Sequence, residues 1–147
     1  MKFLNILLTF FLLEGSPQWG SDFDKAKSDA IQNHKYIMIN FSGSDWCGPC
    51  IKLKRDILDS PEFLNFATTN LALVRADFPR LKKNQLDKKQ TGMNETLAEK
   101  YNQEGKFPLT VLVDAYGKIL KEWDGYPAGI TTDAFIQEIQ SLINARK

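Results

Sequence analysis

Apolar and polar positions alternate with two different periods along this chain. From Asp22 to Asn33 the apolar residues recur at helical spacing. Tyr36–Phe41 and Leu71–Asp77 are mostly apolar runs of strand length, bounded by polar or loop residues. The segment between them is long enough for a crossover. We therefore predict a βαβ unit with two parallel strands and a right-handed connection.

The crossover contains two helix patterns. Cys47–Leu58 carries an apolar stripe after the loop Ser42–Asp45. A second helix is predicted to start after Ser60, which suits an N-cap, with Pro61 in the first turn. Later in the chain, Asn94 is expected to cap a helix from Glu95 to Tyr101.

The C-terminal part is predicted to form a hairpin followed by a helix. Leu109–Val113 and Ile119–Trp123 flank a turn at Asp114–Gly117, which predicts antiparallel strands. Thr132–Ala145 places its large apolar residues on one helical face. These elements together predict an α/β fold with a mixed sheet and helices on both sides.

The N-terminus carries a different pattern. Lys2 is followed by the apolar run Phe3–Leu13, which is shorter than the roughly 20 residues that span a bilayer. A positive start followed by such a run is typical of a secretory signal. We expect residues 1–20 to be a signal peptide with a short lead-in, residues 21–147 to be a single domain, and the protein to be secreted or periplasmic. An uncleaved membrane anchor and a buried N-terminal helix are the alternatives.

Charge adds one local feature. The net charge is +1, which does not indicate nucleic-acid binding. The segment Phe78–Asn94 is nevertheless basic and poor in apolar residues. One interpretation is a solvated surface excursion, with a short helix around Leu81–Leu86. The other is a basic rim that selects acidic client proteins. The basic residues of this segment are Arg80, Lys82, Lys83, Lys88 and Lys89.

Cys47 and Cys50 are the only cysteines, and they lie one helical turn apart. Two thiols at that spacing can close and reopen a small disulfide ring, as dithiol–disulfide exchange requires. Cys47 is predicted at a helix N-terminus, where free N–H groups and the macrodipole favour a thiolate. Cys47 is therefore the predicted nucleophile. Cys50, one turn deeper, is the predicted resolving residue.

Other uses of the two cysteines are weaker. A zinc site typically takes about four ligands, and this chain offers two cysteines and His34. We predict no metal and assign His34 no role. A purely structural disulfide around so short a loop would gain little stabilisation.

Three motifs resemble the thioredoxin superfamily, and most of all its secreted thioredoxin-like members. The first is Asn40–Cys50, which reads Asn-Phe-Ser-Gly-Ser-Asp-Trp-Cys-Gly-Pro-Cys. The second is Gly105–Thr110, where Pro108 matches the cis-proline that faces the cysteine pair in that family. The third is Trp123–Tyr126, where Gly125 matches a glycine of the substrate groove. The resemblance implies a thioredoxin fold with a central mixed sheet of four to five strands, flanked by helices on both faces.

The resemblance also implies a function. It indicates a thiol–disulfide oxidoreductase, and the Gly-Pro pair between the cysteines resembles the reducing members. We expect a protein-disulfide reductase of exported proteins that needs no cofactor beyond the redox-active disulfide Cys47–Cys50. Its expected partners are disulfide-containing client proteins and a membrane-bound electron donor, with membrane contact only through the signal segment if it is uncleaved. The predicted groove residues are Trp46, Gly48, Pro49, Phe107, Pro108 and Gly125, although plain packing is the alternative for Trp46 and Phe107.

Two other functional classes fit the same residues. One is a disulfide oxidase or isomerase, which redox potential separates from a reductase. The other is a non-enzymatic module that binds clients. A Cys50→Ser variant would trap covalent complexes only if exchange chemistry takes place.

One position departs from the family pattern. Thioredoxins usually carry a buried aspartate before the active site, and Asn40 stands at that position here. An amide cannot act as a base near neutral pH. A water, Asp45 or another carboxylate would have to serve, or the second step is slower. For Asp45 itself, a solvated loop acid is the favoured interpretation over a catalytic role. Arg75, where the family often has a lysine, either holds positive charge near the site or faces solvent.

Overall fold

The computed structural model describes residues 18–146. Its five helices and four strands follow in the order α1, β1, α2, α3, β2, α4, β3, β4 and α5. Their bounds are α1 Phe23–Asn33, β1 Tyr36–Ser42, α2 Gly48–Leu53, α3 Pro61–Asn70, β2 Leu71–Asp77, α4 Lys88–Tyr101, β3 Leu109–Val113, β4 Ile119–Asp124 and α5 Thr132–Asn144.

The strands form one mixed sheet in the order β2-β1-β3-β4. β1 runs parallel to β2, with Tyr36 opposite Leu71. β3 is antiparallel to both β1 and β4. The predicted βαβ unit and C-terminal hairpin are therefore confirmed. A single parallel bridge from Gly20 to Val74 extends the sheet beyond the β2 edge.

Two apolar layers cover the two faces of the sheet. Alternate strand residues, such as Ile37 and Ile39, pack with α1 and α4 on one face. The residues between them, such as Met38, pack with α2, α3 and α5 on the other. This alternation follows from the period of two in a strand. It puts α2, the helix that begins at the cysteine motif, on the same face as Met38.

The predicted helix Cys47–Leu58 is divided into two parts. After α2, residues Lys54–Leu58 form a π-helical turn, closed by a bond from Asp59 N–H to the Lys54 carbonyl. Such i→i+5 bonds widen the turn. The wider turn allows Leu53, Ile57 and Leu58 to be buried together, although Ile57 and Leu58 lie four and five positions after Leu53.

Of two helix starts predicted from capping residues, the structure confirms one and contradicts the other. Ser60 caps α3 by accepting a hydrogen bond from Phe63 N–H, with Pro61 in the first turn, as predicted. The prediction that Asn94 caps a helix is wrong. α4 begins at Lys88 and is capped by Asp87. Asn94 lies buried inside that helix, and its amide donates to the Asp77 carbonyl at 2.8 Å.

The excursion between β2 and α4 contains a 3₁₀ helix of three residues, Lys82–Asn84, inside the range Leu81–Leu86 where a short helix was predicted. The predicted signal segment falls outside the described residues. Within residues 18–146, no helix is long and apolar enough to cross a membrane.

Candidate active site

Cys47 and Cys50 form a disulfide at the start of α2. Cys47 is the N-cap residue, and its extended backbone (φ −94°, ψ 100°) turns the chain into the helix. Its sulfur accepts a hydrogen bond from Cys50 N–H at 3.2 Å. The Cα atoms of the pair are 5.2 Å apart, within the usual range for a disulfide. The predicted position of Cys47 at a helix N-terminus is confirmed.

The cysteines differ little in exposure in this oxidised state. Cys47 is 5% exposed and Cys50 is 3% exposed. Cys50, which was predicted to lie one turn deeper, is therefore only slightly less exposed than Cys47. Gly48 and Pro49, which lie between them in the first turn of α2, are both exposed.

The loop before the disulfide holds Trp46 tightly. A Cβ atom added at Gly43 would lie 2.2 Å from Cε2 of the Trp46 ring, so the indole rests directly on the glycine backbone. The Trp46 Nε1–H donates to the Phe78 carbonyl at 2.8 Å. Cys47 N–H donates to the Gly43 carbonyl at 2.9 Å. The indole is thus fixed beside the disulfide, and the sequence analysis did not identify Gly43 or Phe78.

An aromatic cluster joins this loop to the start of β3. The Phe107 ring meets Trp46 and Phe78 edge to face, at centroid distances of 5.5 Å and 5.4 Å. The Phe107–Pro108 peptide bond is cis, as the resemblance implied. Pro108 is buried just before β3, where Leu109 pairs with Phe41 at the end of β1. Pro108 therefore lies at the same end of the sheet as the cysteine loop.

Gly125 lies beside Pro108. Its N–H donates to the Pro108 carbonyl at 2.9 Å. Its φ of +76° is in the left-handed region, which glycine adopts at little cost. The structure thus collects the predicted groove residues along one end of the sheet, next to the disulfide.

A buried polar row crosses the sheet on the face that α2 covers. Asn40 is 2% exposed and lies opposite Arg75 on β2 and Thr110 on β3. Arg75 Nε donates to Asn40 Oδ1 at 3.4 Å, and Asn40 Nδ2 donates to Thr110 Oγ1 at 3.2 Å. Asn40 is therefore held by a donor on one side and an acceptor on the other.

Arg75 does not face solvent. Its guanidinium lies 4.5 Å from the centroid of the Trp19 ring. Its Nη2 is 3.7 Å from Asp59 Oδ1, close enough for an ion pair but too long for a hydrogen bond. Burial lowers the pKa of Arg75, and the Asp59 carboxylate opposes that shift. Arg75 was predicted either to hold positive charge near the site or to face solvent. The second role is wrong, because the side chain is 15% exposed and contacts Asn40.

Asp45 has a structural task that the sequence analysis did not foresee. Its carboxylate accepts hydrogen bonds from Arg80 N–H, Leu81 N–H and the Asn84 side chain, each at 2.9–3.0 Å. The bond from Arg80 N–H is the main reason why the pKa of Asp45 is lowered from its ordinary 3.8. A carboxylate bound in this way is a poor proton acceptor for a resolving thiol.

Metal-binding groups are scarce in the part of the chain that the structure describes. No cluster of three or more His, Cys, Asp or Glu side chains occurs among residues 18–146. His34 ends α1 in the left-handed conformation (φ 55°), and its N–H bonds to the Ala30 carbonyl. In the structure, His34 therefore caps the C-terminus of α1.

Comparison with known proteins agrees with this geometry. A family model described as "Thioredoxin-like" matches residues 18–115. The "Disulfide bond reductase DsbH" of Chlamydia pneumoniae is 38% identical over 129 residues, which are 88% of this chain and 74% of that protein. A solved structure named "DsbH Oxidoreductase" superposes with a TM-score of 0.77 at 34% identity, covering 97% of this chain and 95% of that one. A poplar thioredoxin h shares the fold at 16% identity, with a TM-score of 0.60 over 88% of this chain and 98% of its own.

Proposed function

Because this chain belongs to the thioredoxin-like family and is a homologue of disulfide oxidoreductases, we propose that it reduces disulfides of exported proteins through Cys47 and Cys50. The observation that carries the proposal is the disulfide itself. It closes at a helix N-terminus, where Cys50 N–H already points at the Cys47 sulfur. A negative charge on that sulfur would keep this hydrogen bond and gain from the helix dipole.

The catalytic cycle starts from the dithiol form. The Cys47 thiolate attacks one sulfur of a client disulfide; the client S–S bond breaks, and the departing thiolate takes up a proton. Cys50 then loses its proton and attacks the Cys47 sulfur. The mixed disulfide breaks and releases the second client thiol. Two electrons have passed to the client, and Cys47 and Cys50 are left as the disulfide seen in this structure.

The client segment is proposed to bind along the groove beside the disulfide. Trp46 and Phe107 form one wall, and the Pro108 and Gly125 backbones lie just before β3 and just after β4. Gly48 and Pro49, exposed between the cysteines, would touch the segment as it approaches. An extended client could add to the backbone next to Pro108 as a short strand.

The direction of exchange and the location are also part of the proposal. The name of the DsbH relative includes "reductase", and the dipeptide between the cysteines lacks the histidine that would further stabilise the Cys47 thiolate. Less stabilisation of the reduced form favours a reducing potential. Export is supported by the apolar run that follows Lys2. Outside the cytosol, a membrane-bound dithiol donor would return two electrons to the Cys47–Cys50 disulfide.

Reduction of insulin disulfides tests the chemistry. Wild-type protein lacking residues 1–17 is added to insulin and dithiothreitol, beside Cys47→Ser and Cys50→Ser variants. We expect the wild type to accelerate reduction and Cys47→Ser to fall to the rate of dithiothreitol alone. In a separate reaction without dithiothreitol, which would itself cleave a mixed disulfide, pre-reduced Cys50→Ser should accumulate a covalent complex with insulin, because the resolving thiol is missing. Circular dichroism establishes that both variants fold.

Two results would contradict the proposal. Acceleration that survives in Cys47→Ser would place the chemistry elsewhere. A Cys50→Ser variant that forms no mixed disulfide would favour a binding module. Equilibration with glutathione tests the direction separately: a potential near the roughly −120 mV of the strongest thiol oxidants would indicate an oxidase, and one near −270 mV a reductase.

A further inference from the structure

The segment between β2 and α4 borders the candidate active site. We call residues 78–86 the rim segment. It is bonded to the cysteine loop, since the Asp45 carboxylate accepts hydrogen bonds from Arg80 N–H, Leu81 N–H and the Asn84 side chain. These bonds hold the segment in place at the edge of the site, although most of its side chains are exposed.

Arg80 places a positive charge on the indole of Trp46, the residue before the proposed nucleophile. Its guanidinium carbon lies 3.6 Å from the centroid of the Trp46 ring, a cation–π stack on the residue that precedes Cys47. The side chain is exposed. Asp45 binds the backbone N–H of Arg80, and the guanidinium forms no ion pair with any carboxylate among residues 18–146. Its charge is thus available to a bound client.

Lys82 and Lys83 add to this charge. Both are exposed in the 3₁₀ turn of the rim segment, which contains no acidic residue. Asp45 and Asp77 contact the segment, and Glu95 and Glu99 of α4 line a surface cavity together with Phe78. Asp77 accepts hydrogen bonds from the Ser44 N–H and hydroxyl, and Asp45 accepts them from the rim segment itself. Arg80, Lys82 and Lys83 form no ion pair with any carboxylate among residues 18–146. These three charges therefore remain available to a carboxylate of a client.

Resting on the proposed function, we propose that the rim segment selects its clients: Arg80, supported by Lys82 and Lys83, favours disulfides flanked by acidic side chains. The partner is an extended protein segment whose cysteine pairs with Cys47 while a nearby carboxylate meets the guanidinium. Charge at the edge of an interface mainly changes the rate of association and its salt dependence. The selection should therefore appear in the rate of attack and leave the thiol chemistry unchanged.

A matched pair of peptides tests this inference. Both contain the same single disulfide, flanked by Glu in one peptide and by Gln in the other. Pre-reduced protein is mixed with each, and the second-order rate constant is measured at low ionic strength. We expect the Glu peptide to be reduced about three- to tenfold faster by the wild type. In about 1 M salt, where the Debye length is about 3 Å, the ratio should approach one.

Variants identify the residue responsible. Arg80→Gln should remove most of the Glu/Gln ratio, whereas Arg80→Lys should retain part of it. Lys118→Gln is the matched control. It removes one charge in the β3–β4 turn, at the opposite end of β3 from Pro108. It should leave the ratio unchanged.

The outcomes separate the two proposals. Equal wild-type rates with both peptides, or an equal loss of the ratio in Arg80→Gln and Lys118→Gln, would overturn the client selection alone. A wild type that reduces neither peptide would overturn the proposed function, and the selection would fall with it.

Discussion

Gly43 is the residue whose role depends most on close contact. The Trp46 indole lies where a side chain at position 43 would begin. The same indole donates to the Phe78 carbonyl and carries the Arg80 guanidinium. A side chain at position 43 would therefore disturb the wall of the groove and the rim segment at once.

We expect Gly43→Ala to destabilise the protein by about 1–3 kcal/mol, because the ring or the loop must shift to admit the methyl group. Gly92→Ala is the control: it lies in α4 with no neighbouring heavy atom within 4 Å of an added Cβ. That change should stabilise the protein by about 0.5–1 kcal/mol. Urea unfolding of both variants measures the difference, and a Gly43→Ala variant as stable as wild type would contradict the close packing.

At the scale of elements, the bond between the cysteine loop and the rim segment depends on an ionised Asp45. Its folded pKa lies below the ordinary 3.8, so the native structure favours the carboxylate over the acid. By linkage, the stabilisation is fully present above that ordinary value and is lost as the pH falls through the folded value.

We therefore predict that wild type exceeds Asp45→Asn in the free energy of unfolding near neutral pH, and that the excess shrinks below a pH of about 4. Asn84→Ala removes one of the three donors and should reduce the pH-dependent excess without abolishing it. Unfolding by urea across this pH range is the measurement. A difference between wild type and Asp45→Asn that is constant with pH would show that the charge of Asp45 does not matter.

α4 shows why element boundaries were harder to predict than element types. Its first two turns are polar, so the apolar period that indicates a helix is missing there. They are held instead by the Asp87 cap and by Asn94, whose buried amide binds the Asp77 carbonyl at the end of β2. That contact joins residues 17 positions apart, so no local sequence pattern predicts it.

At the scale of the whole molecule, the segment before α1 pairs with the β2 edge of the sheet at one position. Gly20 N–H bonds to the Leu73 carbonyl, and Arg75 N–H bonds to the Gly20 carbonyl. Trp19 stacks on Phe63 with ring centroids 6.3 Å apart, and its Nε1–H donates to the Leu58 carbonyl. One aromatic residue thus joins the sheet edge to the helical layer that contains the π turn.

Trp19→Ala is expected to lower the free energy of unfolding by about 2–4 kcal/mol through lost ring packing and an unsatisfied carbonyl. Trp19→Phe keeps the ring contact with Phe63 and should lose only about 1 kcal/mol. Gln18→Ala, at the exposed neighbouring position, should stay within about 0.5 kcal/mol of wild type. Thermal or urea unfolding measures all three, and equal effects of Trp19→Ala and Gln18→Ala would rule out this anchoring role.

The amino-acid sequence by itself determined the order and type of the main elements and the position of Cys47 at a helix start. These depend on hydrophobic period, capping residues and prolines, which act over a few neighbouring positions. Only the tertiary structure decided the surroundings of the disulfide. The Trp46–Phe78 bond spans 32 positions and the Arg75–Asn40 bond spans 35. Such pairs meet only when strand register and loop path are set, because side-chain contacts depend on the whole packed fold.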